Sequence, residues 1–137
     1  MSLKIAPTAQ VAVYSGTHGN ASRETLNDVL AATPADTKIL LGNFPAGTTF
    51  DGVTVFHDAL GAGTSIELGI QSKHNGEINE LALFGSVNTV DAGDAMKNIK
   101  PRHVNETVEL IATLKGGIGT GELQVTVHYR YNGVSQY

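Results

Sequence analysis

Between Glu122 and Tyr131 the sequence reads ELQVTVHYRY. Leu123, Val125, Val127, Tyr129 and Tyr131 alternate without a break with Glu122, Gln124, Thr126, His128 and Arg130. Successive side chains of a strand point to opposite faces, so this segment is a long strand with one buried and one wet face. Wound as a helix it would scatter its apolar groups around the whole circumference. Upstream, ETVELIATL alternates too: Val108, Leu110, Ala112 and Leu114 on one side, Thr107, Glu109, Ile111 and Thr113 on the other. Two amphipathic strands joined by a short glycine-rich link predict an antiparallel pair.

That link, GGIGTG from Gly116 to Gly121, invites a nucleotide reading. A dinucleotide fingerprint needs G-x-G-x-x-G between a strand and a helix, so that the helix N-terminus meets the pyrophosphate. Here the spacing is wrong and the glycines run into a strand. No Gly-Lys-Ser/Thr closes the stretch, so it is no P-loop either. It reads as a connection between strands.

The rest of the chain is punctuated in the same way. Strands are expected in QVAVYS (10–15), TKILLGNF (37–44), VTVFHDA (53–59), TSIELGI (64–70) and ELALFGSV (80–87). The run 37–44 is continuously apolar, as in a central strand covered on both faces. Pro-Ala-Gly, Asp-Gly, Gly-Ala-Gly and Asn-Gly separate these segments, the pattern of an all-β sandwich or barrel. One segment is ambiguous. In SRETLNDVLAA, Leu26, Val29 and Leu30 fall at helical spacing behind a possible N-cap at Ser22, and a short strand from Leu26 to Leu30 competes with that helix. The 137 residues predict a single domain, with residues 1–10 as an N-terminal arm and 132–137 as a C-terminal tail.

Composition narrows the function. Charged residues make up 16% of the chain, with Gly at 16 residues. There is no cysteine, which removes disulfides, thiolate zinc sites and thiol nucleophiles. A net charge of −4 with only nine Lys and Arg argues against a nucleic-acid partner. No apolar run reaches the length of a membrane-spanning helix, and MSLKIAPTAQVAVYSG lacks the apolar region of a secretory signal, so synthesis in a cytosol is expected.

Residues that carry chemistry are scattered. His18, His57, His74, His103 and His128 form no close metal-ligand spacing. His57 and Asp58 are neighbours, yet adjacent strand residues point to opposite faces and are poorly placed to act as base and orienting carboxylate. VDAGDAM (90–96) brings Asp91 and Asp94 close but lacks the remaining ligands of a calcium loop. A glycosidase would need two carboxylates about 5–10 Å apart across a cleft, and the spread of Asp and Glu along strands reads equally well as solvated faces. No catalytic residue, cofactor site or metal site is assigned.

Apolar groups on faces expected to be wet are more informative. Ile111 lies among Thr107, Glu109 and Thr113, and Phe56 between Thr54 and Asp58. Leu3 and Ile5 lie in the N-terminal arm, and Tyr137 ends the C-terminal tail. These five residues are the candidate partner interface.

Two longer phrases carry a resemblance. NFPAGTTFDGVTVFHDALGAGTSIELGI (43–70) has a strand ending in Pro-Ala-Gly, a Val-x-Val strand, and a Gly-rich turn into a strand ending Leu-Gly. TGELQVTVHYRYNGV (120–134) looks like a closing strand. Together they resemble small structural proteins of tailed bacteriophages, above all capsid decoration, or cement, proteins. The resemblance implies an all-β, jelly-roll-like β-sandwich with extended N- and C-terminal arms and at most one short helix. It implies a non-enzymatic virion protein on the capsid exterior that clamps neighbouring major capsid protein subunits, as a homo-oligomer (dimer or trimer), with no nucleic acid, membrane or cofactor. No functional residue carries over, since such proteins have no catalytic signature. Two other readings stay open: a head-fibre or tail-associated module, and a carbohydrate-binding β-sandwich, for which Trp is absent and, of Tyr14, Tyr129, Tyr131 and Tyr137, Tyr129 and Tyr131 are expected to face the core with Val125 and Val127, leaving little stacking surface.

Overall fold

The computed structural model describes residues 3–6, 21–74 and 76–131. Among them are nine strands and no helix: β1 (Leu3–Ile5), β2 (Ala21–Thr33), β3 (Lys38–Phe44), β4 (Thr48–His57), β5 (Ser65–Ser72), β6 (Asn79–Asn88), β7 (Gly93–His103), β8 (Val108–Lys115) and β9 (Gly119–Tyr131). They form two sheets, ordered β1-β3-β8-β5-β6 and β2-β9-β4-β7.

The pairing has a simple logic. β2 pairs with β9, β3 with β8, β4 with β7 and β5 with β6, all antiparallel. The chain is thus one long antiparallel ribbon turned back on itself between β5 and β6. Rolling that ribbon brings β4 beside β9 and β5 beside β8, and each sheet acquires four ribbon strands. This is the jelly-roll arrangement, in which two packed sheets bury their inner faces against each other. The short β1 adds to it in parallel beside β3, Ile5 in register with Leu40.

Alternation and burial agree along most of the chain. β9 buries Leu123, Val125, Val127 and Tyr129 and keeps the intervening residues at the surface, as its pattern demands. β3 is covered on both faces. β4 starts earlier than its Val-x-Val core implies and brings Phe50 inside. The ambiguous segment 22–32 is strand β2, not helix. Leu26, Asp28 and Leu30 point inward with period two, while Val29, the residue that imitates helical spacing, is exposed. The expected strand 10–15 and the tail 132–137 lie outside the described residues.

The expected pairing of the last two strands fails. β8 and β9 are not an antiparallel pair; β8 lies between β3 and β5, and β9 between β2 and β4, in opposite sheets. In a rolled ribbon each strand's partner is set by distance from the fold-back point, not by adjacency in sequence. The glycine-rich link therefore crosses between the layers. Gly116 adopts φ +86°, a left-handed conformation that glycine accepts freely, and a Cβ there would strike the Gly63 carbonyl. A strand follows the glycines, so they lead to no helix N-terminus that could hold an anion.

Aromatic rings mark the centre of the core. Phe44 meets Phe50 edge-on at 5.1 Å and Tyr129 at 5.4 Å, and Phe50 meets Phe84 at 6.0 Å. Such pairs contribute about 0.5–1.5 kcal/mol each beyond their area burial. The rings come from β3, β4, β6 and β9, so this cluster staples both sheets.

Candidate interaction surfaces

The outer face of the β2-β9-β4-β7 sheet is a flat, open surface whose rows follow from the register. Asn27, Gln124, Phe56 and Asp94 form one row, and Thr25, Thr126, Thr54 and Met96 the next. Arg23, His128, Gly52 and Asn98 form a third. Short polar contacts knit the middle: the Thr25 and Thr126 hydroxyls lie 3.0 Å apart, and Thr54 Oγ1 lies 2.9 Å from His128 Nε2. Against this polar lattice Phe56 and Met96 stand out, 48% and 65% exposed. Phe56 is legible in the sequence; Met96 is not, because residues 90–96 look like a loop there. A signal does exist in the alternation of Ala95 and Ile99 with Asp94, Met96 and Asn98, but Lys97 and Pro101 break it.

Charge is unevenly spread on this face. Asp58, Glu122 and Asp94 are exposed at one end. Arg23 and Lys100 are exposed at the other, beside Arg130. Arg130 Nε and Nη2 donate to the two Asp51 carboxylate oxygens at 3.1 Å, and that hydrogen bonding raises the Arg130 pKa above its ordinary value.

The other candidate residues separate. Leu3 and Ile5 on β1 are 59% and 56% exposed at the edge of the opposite sheet, where Ala6 N donates to the Leu40 carbonyl at 2.9 Å. Ile111 corrects its sequence reading: it is not on a wet face but fully buried. β8 is a central strand, and Ile111 sits in register between Leu40 and Gly69. β6 bulges there, and its backbone at Glu80 and Leu81 lies where a Gly69 side chain would be. That overhang covers the outer side of the sheet. Ile111 therefore offers no surface to a partner in this chain. Tyr137 lies outside the described residues.

Chemical groups do not converge. Among the described residues no three His, Asp or Glu side chains come together as metal ligands. His57 is buried beneath Gly93, with Nδ1 3.0 Å from the Asp58 carbonyl oxygen. Asp58 turns outward, and its Oδ2 accepts from the Glu122 amide at 2.8 Å. Asp58, just past the end of β4, thus turns to a different partner from His57 and fastens the end of β4 to β9. Phe56, His57, Asp58, Gly93, Glu122 and Gln124 line only a small depression of about 180 Å³. His103 lies 2.8 Å from Thr49 Oγ1 and 3.1 Å from Asn105 Oδ1, remote from it on the same sheet. Tyr129 is buried in the core, which removes it as a sugar-stacking platform; Tyr14 and Tyr137 lie outside the described residues.

No protein-family model matches the chain, and no curated protein matches it significantly. Solved structures do match in shape. A chain of the capsid of Ralstonia phage GP4 superposes with a TM-score of 0.75 at 18% identity, covering 98% of this chain and 100% of that one. A chain of the acidic stable capsid structure of Helicobacter pylori bacteriophage KHP30 matches at 0.60 and 13% identity over 88% of this chain and 97% of that one. A chain of the Cyanophage Pam1 capsid asymmetric unit matches at 0.57 and 19% identity, over 90% and 96%. The rolled β-sandwich is thus a fold this chain shares with chains of phage capsids.

Proposed function

We propose that this chain is a non-enzymatic virion structural protein that binds the outside of a phage capsid and cements neighbouring major capsid subunits. The observation that carries the reading is the likeness in fold to a chain of the Ralstonia phage GP4 capsid, over 98% of this chain and 100% of that one. The surface agrees with it. A cement needs a rigid scaffold and an open contact face, not a pocket, and the sheet face bearing Phe56 and Met96 is of that kind. Leu3 and Ile5 offer a second contact at the opposite sheet's edge. In this reading the 137 residues are one domain, with arms at both ends. Binding that favours the closed lattice over its dispersed subunits stabilises the lattice by mass action, and many copies act together. The test is to mix the purified protein with capsids stripped of their decoration. Co-sedimentation with the shells and a gain in their heat resistance support the proposal. Absence of both contradicts it.

A further inference from the structure

The small depression at the acidic end of the β2-β9-β4-β7 sheet is lined mainly by hydrogen-bond acceptors. His57 ends β4 in register with Gly93, the first residue of β7, and Glu122 and Gln124 approach from β9. His57 is only 8% exposed. Its Nδ1 lies 3.0 Å from the Asp58 carbonyl oxygen, which can only accept, so Nδ1 carries a proton. The neutral ring then holds its lone pair on Nε2, and Nε2 has no hydrogen-bond partner among the described residues. A Cβ on Gly93 would stand 3.9 Å from Cε1 and 4.0 Å from Nε2, so the missing side chain leaves that edge of the ring open to the depression. Asp58 uses Oδ2 to accept from the Glu122 amide and keeps Oδ1. Among the described residues no ion pair involves Asp58, Glu122 or the nearby Asp94.

A buried lone pair beside two carboxylates without a countercharge suits a positively charged donor. A metal ion fits poorly, because among the described residues no three such groups are close enough to share one. A guanidinium fits better. Its planar fork carries five N–H donors that reach separated acceptors at once, and its flat face stacks on an aromatic ring, here Phe56. An ammonium is a compact point charge with no such face. We propose that this depression takes the guanidinium of an arginine presented by a major capsid subunit. The source of the arginine rests on the cementing reading; the preference of the depression for a guanidinium does not. The depression borders the face that bears Phe56 and Met96, so the arginine locks one end of the contact made there. One charged anchor at a fixed place sets the register of the chain on the shell and excludes wrong partners.

The experiment has two arms. In the first, N-acetylarginine amide is titrated into the protein alone, into the millimolar range, while NMR follows the His57 ring nitrogens and the Gly93 and Glu122 amides. Saturable shifts at these groups are expected, with binding at least about fivefold tighter than that of N-acetyllysine amide. Glu122→Gln removes a carboxylate and Gly93→Val fills the depression; each is expected to weaken binding at least about fivefold. Both positions are exposed, so unchanged melting curves show that the variants fold. No saturable shift, equal binding of the two amides, or binding indifferent to both variants overturns the pocket. In the second arm the parent and both variants are mixed with capsids stripped of their decoration. Weaker co-sedimentation of both variants, and competition by the arginine amide but not by the lysine amide, are expected. Variants that bind shells as well as the parent does overturn the arginine anchor. A parent that binds no shell contradicts the cementing reading and the shell as source of the arginine, while the first arm still decides the pocket.

Discussion

Arg102 on β7 grips Glu80 on β6, although the two strands belong to different sheets. The guanidinium donates through Nη2 to Oε2 at 2.5 Å and through Nε to Oε1 at 3.3 Å, and Nη1 donates to the His103 carbonyl at 2.6 Å. The contact closes the sandwich along one open side. This hydrogen bonding holds the Glu80 carboxyl below its ordinary pKa and raises that of Arg102.

The first prediction concerns acid. A carboxylate whose pKa is depressed by folding contributes stability above its unfolded value, near about 4.3, and loses it as pH falls through the lower folded value. Glu80→Gln is therefore expected to lower the melting temperature at pH 7 and to differ less and less from the parent as pH falls below the carboxylate range. Both side chains are more than a third exposed, at 35% and 37%, so solvent screening limits the effect to at most about 1 kcal/mol. Thermal unfolding of both proteins across pH measures it. A constant difference down to the acid limit would show that the pair contributes nothing.

The second prediction contrasts two phenylalanines on β4. Phe50 is buried in the aromatic cluster and Phe56 is half exposed. Phe50→Ala is expected to cost about 3–5 kcal/mol, and Phe56→Ala less than about 0.5 kcal/mol. Urea denaturation of the two variants tests the burial directly; equal losses would place Phe56 in the core as well.

Ile111 supports a third prediction. Its polar neighbours in sequence make it look wet, and a wet isoleucine can be truncated at almost no cost. Buried between Leu40 and Gly69, Ile111→Ala is expected to lose about 2–4 kcal/mol. Val29→Ala, at a residue 62% exposed, is the control and is expected to lose under about 0.5 kcal/mol. The same denaturation experiment separates them.

Gly69 is the fourth. The β6 backbone occupies the space a side chain would need, so Gly69→Ala forces one strand away from the other. The expected loss is about 1–3 kcal/mol, with faster amide hydrogen exchange in β6 than in β9. Unchanged exchange in β6 would mean that the overhang does not rest on Gly69.

How much of this is legible in the sequence depends on which face each strand shows. β9 has one wet side, and alternation gives it away; β5 alternates as far as Leu68, before the β6 overhang covers Gly69. β3, covered on both sides, is legible from its unbroken apolar run. β2 is ambiguous because Val29, exposed on the outer face, happens to fall between Leu26 and Leu30 at helical spacing. β7 escapes notice because it is an edge strand whose inward positions include Lys97, and Pro101 interrupts it near the end. Ile111 is misplaced by alternation, which assumes one wet face, whereas the β6 overhang covers the second face of β8. The pairing of β8 and β9 misleads for a different reason: a rolled ribbon joins strands far apart in sequence, and local pattern carries no record of that. The candidate contact surface is only half visible. Phe56 stands out among polar neighbours, but Met96 and the charge gradient exist only once four strands lie side by side.

Imaging bare phage shells before and after this protein is added decides whether it is a cement. Extra density of jelly-roll shape is expected on the outer surface, bridging neighbouring major capsid subunits, together with shells that withstand higher temperature. Density confined to tails, or shells that neither gain density nor resist heat better, would contradict that role.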